Sequence, residues 1–150
     1  MKRNHLIYKG IVIGTISGII LGLFLKLIET LFGVKVYTLL LNVDYIPLLK
    51  DFTLSELIEF ILHLIISLIL AVVILFIIRF YDWNNCQIVV RVTVISLIIG
   101  IALYPTTALS SRTPELTSIP AIFFWLIGHV LYGLVLSGLI VIKRERRRLN

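Results

Sequence analysis

Four long apolar stretches separated by polar segments dominate the sequence. They cover about 10–28, 57–78, 88–104 and 119–142, and each has the roughly 17 to 25 mostly apolar residues that a membrane-spanning helix needs. A tight polar turn at 82–85 separates the second stretch from the third. The pattern therefore predicts an all-α polytopic membrane protein, with four transmembrane helices arranged as two helical hairpins in a single membrane domain, 1–150.

The segment between the first two stretches, 31–52, is too polar to span a bilayer and too apolar to extend freely into water. We expect it to be an interfacial loop on the outer side, with a short amphipathic helix over 36–41. Composition agrees with a membrane class, because 59% of the residues are hydrophobic and only 15% are charged. Soluble domains average roughly 45–50% and about 25%.

Lysine and arginine are concentrated at one set of helix ends, which predicts that both termini lie inside, in the cytoplasm, and that the chain is a multi-pass protein of the cell (cytoplasmic) membrane. The net charge of +6 is first a topology signal. Anionic lipid is a possible additional partner of the basic tail, 143–150, and no nucleic acid is expected. The cations assigned to the inside are Lys2, Arg3, Lys9, Arg79, Arg91, Lys143, Arg144, Arg146, Arg147 and Arg148, against Lys26, Lys35, Lys50 and Arg112 outside.

Glycine recurs at every fourth position of the first stretch, at Gly10, Gly14, Gly18 and Gly22. Within lipid such small residues let another helix approach closely, so this glycine row predicts a face buried against protein. The sequence leaves the partner of this face open among the chain's second helix, its fourth helix, a second copy and a different protein. Small residues of the fourth stretch predict a further helix-packing contact, at Gly133 and Ser137.

Polar residues follow one face of the second stretch, where Glu59, His63 and Ser67 recur every four residues, and His129 and Tyr132 lie in the fourth. Both histidines fall about ten residues from the outer start of their helices, so these five residues predict a polar seam near mid-membrane. Three roles are open: helix packing, proton or solute handling, and metal binding. Metal is the poorest fit, because no carboxylate lies at the depth of the histidines.

The segments 63–74 and 129–140 align without a gap, histidine on histidine, which suggests that the two hairpins are parallel repeats. The single cysteine, Cys86, has no partner for a disulfide and receives no role. No nucleophile elbow, phosphate loop or HExxH motif is present, so we predict neither an enzyme nor a cofactor.

Three segments, RTPELTS at 112–118, GHVLYGLVLSG at 128–138 and ILHLIISLILAVV at 61–73, give the chain a resemblance to a known group. It resembles the small bacterial inner-membrane proteins of the YqhR and YagU types. The resemblance implies a four-span protein with a closing helix of the HxxYG kind and no established biochemical activity. By position it highlights His63, Gly128, His129, Tyr132 and Gly133.

Two functions follow from these patterns. The first is an integral membrane protein that packs helices, as a homo-oligomer or as an accessory subunit whose membrane-protein partner docks on the glycine row. The alternative is a small transporter or a proton-responsive membrane protein that uses the polar seam of His63 and His129.

Overall fold

The computed structural model describes residues 3–44, 46, 48, 52 and 54–149, and within them the chain is helical and contains no strand. Four of the helices are long and apolar enough to cross a membrane, which confirms the predicted all-α, four-span fold. In chain order the elements are α1 (Arg3–Phe32), α2 (Val36–Leu41), α3 (Glu56–Phe80), α4 (Asn85–Leu103), a 3-10 helix (Tyr104–Leu109) and α5 (Ile119–Leu149).

The first and last helices, α1 and α5, extend well beyond the predicted apolar stretches. α1 begins at Arg3 and α5 continues to Leu149, because the lysine, arginine and leucine of the flanks are good helix formers in water as well. α1 ends where Gly33 takes a φ of +69°, and the Gly33 amide donates to the Glu29 carbonyl at 2.9 Å. This left-handed cap turns the chain toward α2.

The glycine row lies directly against α3. A Cβ built on Gly10 would lie 2.9 Å from the Cα of Val72, and one on Gly14 would lie 2.8 Å from the Cα of Leu68. These distances are too short for real carbon atoms, so the backbones of α1 and α3 touch only because both positions lack a side chain.

The other two glycines continue the same contact toward the start of α3. A Cβ on Gly18 would meet the Ser67 side chain at 2.8 Å, and one on Gly22 would overlap the Phe60 ring. The helices are therefore antiparallel, and the partner that the sequence left open is the chain's own second span. Within the chain the row is therefore covered by α3.

In the second hairpin, α4 and α5 also approach closely through glycines. A Cβ on Gly133 of α5 would lie 2.6 Å from the Cα of Thr93 on α4, and one on Gly100 of α4 would lie 2.6 Å from the His129 ring. Ser137 is fully buried and donates its hydroxyl hydrogen to the Leu134 carbonyl, one turn back, at 3.1 Å.

The two hairpins meet along α1 and α5, where Gly128 packs against the side chains of Leu21 and Leu25. On the opposite side the described residues of α3 and α4 make few contacts. Helix α2 covers one end of the bundle, with the side chains of Val36 and Leu39 buried. The result is a wedge that is closed along α1 and α5, covered at the α2 end, and open between α3 and α4.

The other end of the bundle carries the α3–α4 turn and both termini. The Asn84 side chain accepts from the Gln87 amide at 2.9 Å and caps α4. Arg144 of α5 donates to the Trp83 carbonyl at 2.5 Å, and the Arg91 guanidinium lies 4.9 Å from the Trp83 ring centre. The structure describes the helical backbone at 146–148 but not the basic side chains there.

The contact of the glycine row predicts that alanine substitutions at two different glycines affect stability differently. Gly14→Ala places a methyl group against the backbone of α3, whereas nothing lies within 4 Å of the corresponding position at Gly138. We expect Gly14→Ala to lower the free energy of unfolding by about 1–3 kcal/mol, as overpacking does. Thermal unfolding in detergent, followed by circular dichroism, measures it. Gly138→Ala is the matched control, and equal effects of the two substitutions would contradict the α1–α3 contact.

Candidate functional site

Four of the five predicted seam residues line one cavity inside the wedge. His63 and Ser67 reach it from α3, and His129 and Tyr132 reach it from α5. Its volume is about 70 Å³, and most of its remaining wall is apolar. The structure thus brings the two histidines to a common space, whereas Glu59 is absent from its lining.

Two of these residues are fully engaged in holding the helices together. Ser67 donates its hydroxyl hydrogen to the Gly14 carbonyl at 2.8 Å. The Tyr132 hydroxyl lies 3.0 Å from the Ser67 hydroxyl oxygen and donates toward the Ser67 carbonyl at 3.2 Å. These bonds join α1, α3 and α5, which is the packing role expected of polar side chains between membrane helices.

His129 is also fixed by its surroundings. Its Nδ1 lies 3.0 Å from the carbonyl oxygen of Trp125, and because a carbonyl only accepts, Nδ1 carries the hydrogen. The Trp125 ring centre lies 4.5 Å from that of His129, and the Trp125 Nε1 donates to the Gly100 carbonyl at 2.8 Å. Gly100 of α4 therefore orients the His129 ring in two ways. Its carbonyl fixes Trp125, which contacts the ring, and the lack of a side chain at Gly100 lets the ring pack on the backbone.

His63 carries a buried nitrogen without a partner. Its ring interacts with the backbone of Gly18, and its Nε2 makes no hydrogen bond among the described residues. Nε2 is left as an unsatisfied polar atom inside the bundle, where water does not compensate it as it would at a surface.

The two histidines differ in depth more than the sequence suggested. α3 begins at Glu56 and α5 at Ile119, so at a rise of 1.5 Å per residue His63 lies about 10 Å along its helix and His129 about 15 Å. The prediction that each histidine lies about ten residues from the start of its helix therefore holds for His129, whereas His63 lies seven residues after the start of α3.

Asn42, directly after α2, is a site residue that the sequence analysis missed. Only 2% of its surface is exposed, and its Oδ1 accepts from the Asp44 amide at 3.3 Å. Its Nδ2 is buried and lacks a partner within the described chain. The signal in the sequence was a single amide residue after three leucines, at 39–41, in a segment with no other sign of a site.

A second cavity, of about 180 Å³, adjoins the first. Asn42 and His63 line both of them, together with Leu40 and Ile66. Residues with an unsatisfied polar atom thus lie at the boundary between the cavities. The surrounding walls are mostly leucine and isoleucine, and Glu59 also lines the second cavity.

The cavities face the gap between α3 and α4. Ile66, on the α3 side, is 51% exposed, and Leu103, on the α4 side, is 37% exposed. Since α3 and α4 make few contacts, this edge of the cavity faces the region that lipid would fill. A solute dissolved in the bilayer would meet the cavity without crossing a helix.

Glu59 lines the second cavity together with His63, but not the first. Its carboxylate accepts two hydrogen bonds from Arg112, at 2.8 and 3.1 Å. Glu59 is buried, with 3% exposed, whereas the Arg112 side chain is about half exposed. The hydrogen bonds to Glu59 raise the pKa of Arg112 above its ordinary value. Of the predicted seam, Glu59 thus shares a cavity with His63 and not with His129.

A second ion pair lies beside the first. Lys26 contacts Glu56 at 2.6 Å, and the Tyr37 hydroxyl donates to the same carboxylate at 3.0 Å. Burial, followed by this hydrogen bond, raises the pKa of Tyr37 to about 12. These contacts attach α2 to α1 and α3, and so hold the cover of the cavity in place.

The two hairpins make equivalent contacts around their histidines. Gly18 of α1 bonds to the His63 ring, and Gly100 of α4 packs on the His129 ring. Each hairpin thus places a glycine of its first helix beside the histidine of its second. The same correspondence relates the contacts of Gly14 with Ser67 and of Ser96 with Gly133.

Among the residues that the structure describes, no group of three or more histidine, cysteine, aspartate or glutamate side chains is placed to hold a metal ion. No protein-family model, curated protein or solved structure matches this chain. The resemblance to the YqhR and YagU types therefore stays a prediction.

Removing the basic partner of each ion pair should change the free energy of unfolding by different amounts. Arg112 and Lys26 are about equally exposed, but the carboxylate of Glu59 is buried whereas that of Glu56 is 58% exposed. Arg112→Ala leaves a buried acceptor unpaired, so we expect a loss of about 1–3 kcal/mol in the free energy of unfolding. Lys26→Ala, the matched control, should change it by less than about 1 kcal/mol. Denaturant unfolding in detergent compares the two, and a larger loss for Lys26→Ala would contradict the assignment.

Proposed function

We propose that the chain is a multi-pass membrane protein that binds a small, largely apolar solute between its two hairpins. The observation that supports this most directly is the pair of adjoining cavities, which have mostly apolar walls and an edge toward lipid. Closely packed protein interiors contain few such spaces.

The size of the cavities suits a small molecule. An engineered apolar cavity of about 150 Å³ binds benzene, and the adjoining spaces here measure about 70 and 180 Å³. Ligand sites are commonly apolar spaces with a few polar groups that fix orientation. The cavities fit that description through Asn42 and His63.

This proposal takes up the solute-handling alternative of the sequence analysis and requires neither histidine to titrate. The assembly function was inferred from the glycine row, and α3 already covers that face. Within the predicted seam, Ser67 and Tyr132 act in helix packing. His63 differs from them because its Nε2 has no protein partner among the described residues.

We further propose that the protein lies in the cell (cytoplasmic) membrane with both termini inside. Two observations support this orientation. Both termini and the α3–α4 turn lie at one end of the bundle, and that end carries most of the lysine and arginine, including Arg79, Arg91 and Arg144. Positive charge of this kind favours the cytoplasmic side.

The single cysteine gives a direct test of this orientation. Cys86 is exposed in the described structure, at the α3–α4 turn, so in intact bacterial spheroplasts a membrane-impermeant maleimide should leave it unlabelled until the membrane is permeabilised. The double substitution Cys86→Ser with Ser111→Cys moves the thiol to the exposed outer loop and should be labelled at once. The reverse pattern would overturn the proposed orientation.

Solute binding can be measured through Trp125, which lines the first cavity. With Trp83→Phe, Trp125 is the only tryptophan left of the two in the chain. We expect 6-bromohexan-1-ol, added to the protein in lipid vesicles, to quench its fluorescence with a saturable component. Collisional quenching from the lipid phase is linear in probe concentration, so saturation identifies a site.

Two neighbouring positions provide a matched pair for this measurement. Ile99 lines the cavity, whereas Ile98 is 58% exposed on the lipid side of the same helix. Ile99→Phe should weaken the saturable component at least severalfold because the larger ring occupies the space, and Ile98→Phe should leave it unchanged. Linear quenching alone in the Trp83→Phe chain would contradict the proposed function.

A further inference from the structure

A polar cleft lies at the α2 end of the bundle, beside the cavities between the hairpins. Its volume is about 350 Å³, and most of the residues that line it are charged or carry a hydroxyl group. It shares no lining residue with the first cavity and only Leu41 and Glu59 with the second. Lys26 lies near the end of α1 and Glu56 is the first residue of α3, so in a membrane the cleft lies at the level of the lipid headgroups.

The cleft continues into an apolar groove along the outside of α1 and α3. The groove measures about 400 Å³ and shares Lys26, Tyr37 and Glu56 with the cleft. Its other lining residues are apolar, namely Gly22, Leu23, Leu57 and Phe60. Because Leu23 is 61% exposed and Leu57 is 67% exposed, the groove opens toward lipid. A charged space joined to an apolar one matches a molecule with a polar head and a hydrocarbon chain.

The ion pairs of the cleft leave much of its hydrogen-bonding capacity unused. Lys26 carries three N–H donors and gives one of them to Glu56. Arg112 carries five and gives two to Glu59, and both cationic side chains are about half exposed. Within the described chain Glu56 accepts only through Oε1, from Lys26 and Tyr37. The cleft therefore has both donors and acceptors available to a ligand that carries charges of both signs.

The described residues of the cleft carry one negative charge in excess, because three glutamates line it with one lysine and one arginine. Glu29 accepts from the Thr38 amide at 2.8 Å and from the Thr38 hydroxyl at 2.7 Å, but it forms no ion pair with a described residue. The excess attracts a positive group and repels an anionic headgroup. Since no three acidic side chains of the described chain are placed to hold a metal ion, an organic cation fits this charge better than a metal does.

We infer that the cleft binds a phospholipid whose headgroup carries a primary ammonium group, with one acyl chain in the groove. The ammonium group donates to Glu29 and Glu56, and the phosphate accepts from Lys26 and Arg112. A trimethylammonium headgroup has the same charge but no N–H to donate, and a glycerol headgroup has no positive charge. This lipid site goes beyond the proposed solute site and does not depend on it.

Photocrosslinking from the groove tests the inference at the site itself. The photoreactive residue p-benzoylphenylalanine replaces Leu57 in the groove or, as the matched control, Ile58, which is 47% exposed and lines neither the groove nor the cleft. Each protein is irradiated in vesicles that contain equal amounts of phosphatidylethanolamine, phosphatidylcholine and phosphatidylglycerol with identical acyl chains. Mass spectrometry then identifies the attached lipids.

At position 57 we expect phosphatidylethanolamine to be attached roughly threefold to fivefold more often than phosphatidylglycerol, the difference that one partly exposed ion pair makes. Phosphatidylcholine should lie between them. At position 58 the three lipids should be attached equally, because that side chain meets the bulk bilayer.

A substitution then locates the recognition. Glu29→Gln removes the charge of the glutamate that has no ion pair, keeps its size, and should reduce the enrichment at position 57 to less than about twofold. Glu115→Gln removes one charge from an exposed loop residue outside the cleft and should leave the enrichment unchanged. Helicity measured by circular dichroism checks that both variants are folded.

Three results would contradict the inference. Equal attachment of all lipids at position 57, or more phosphatidylglycerol than phosphatidylethanolamine, excludes the ammonium headgroup. Equal attachment of phosphatidylethanolamine and phosphatidylcholine means that charge alone is recognised and excludes the primary ammonium group. An enrichment that Glu29→Gln and Glu115→Gln change to the same extent places the recognition elsewhere. Because the comparison of positions 57 and 58 uses unsubstituted Glu29, it decides the matter even where Glu29→Gln fails to fold.

Discussion

The close approach of α1 and α3 along the glycine row is the contact on which the rest of the structure depends. Because the backbones touch at Gly10 and Gly14, the Gly14 carbonyl comes within reach of the Ser67 hydroxyl, and Gly18 comes within reach of the His63 ring. A side chain in the row would separate these groups and remove the bonds. The packing of small residues thus determines which polar atoms of the wall are satisfied and which are left over.

Polar side chains between the helices are mostly paired, and the unpaired atoms do not all lie at the cavities. Polar atoms in lipid have no water to bind, so pairing within the protein is the rule. Ser67 and Tyr132 are paired, whereas Asn42 Nδ2 and His63 Nε2, whose residues line the cavities, lack a partner among the described residues. Ser17 Oγ, Trp83 Nε1 and Thr93 Oγ1 also lack one, and their residues line neither cavity. An unpaired buried atom is therefore not by itself the mark of a site in this bundle.

The sequence predicted the helices well because the membrane imposes length and hydropathy on each span, and both can be counted along the chain. It predicted a protein contact for the glycine row but left the partner open, since spacing does not say which helix approaches. Helix periodicity puts Glu59 in line with His63, and the two do line one cavity, but the bond of Glu59 to Arg112 depends on a loop more than fifty residues away and could not be predicted. Asn42 was missed because burial of a loop amide follows from the position of α2, which no local pattern reveals.

The open side of the wedge, between α3 and α4, has a consequence for selectivity. A solute that enters there is first concentrated by the bilayer according to its oil–water partition, and only then meets the protein. Discrimination against water-soluble molecules is therefore supplied by the lipid, without any residue that rejects them. The protein has only to distinguish among molecules that are already membrane-soluble, through the shape of the cavities and the few polar residues in their walls.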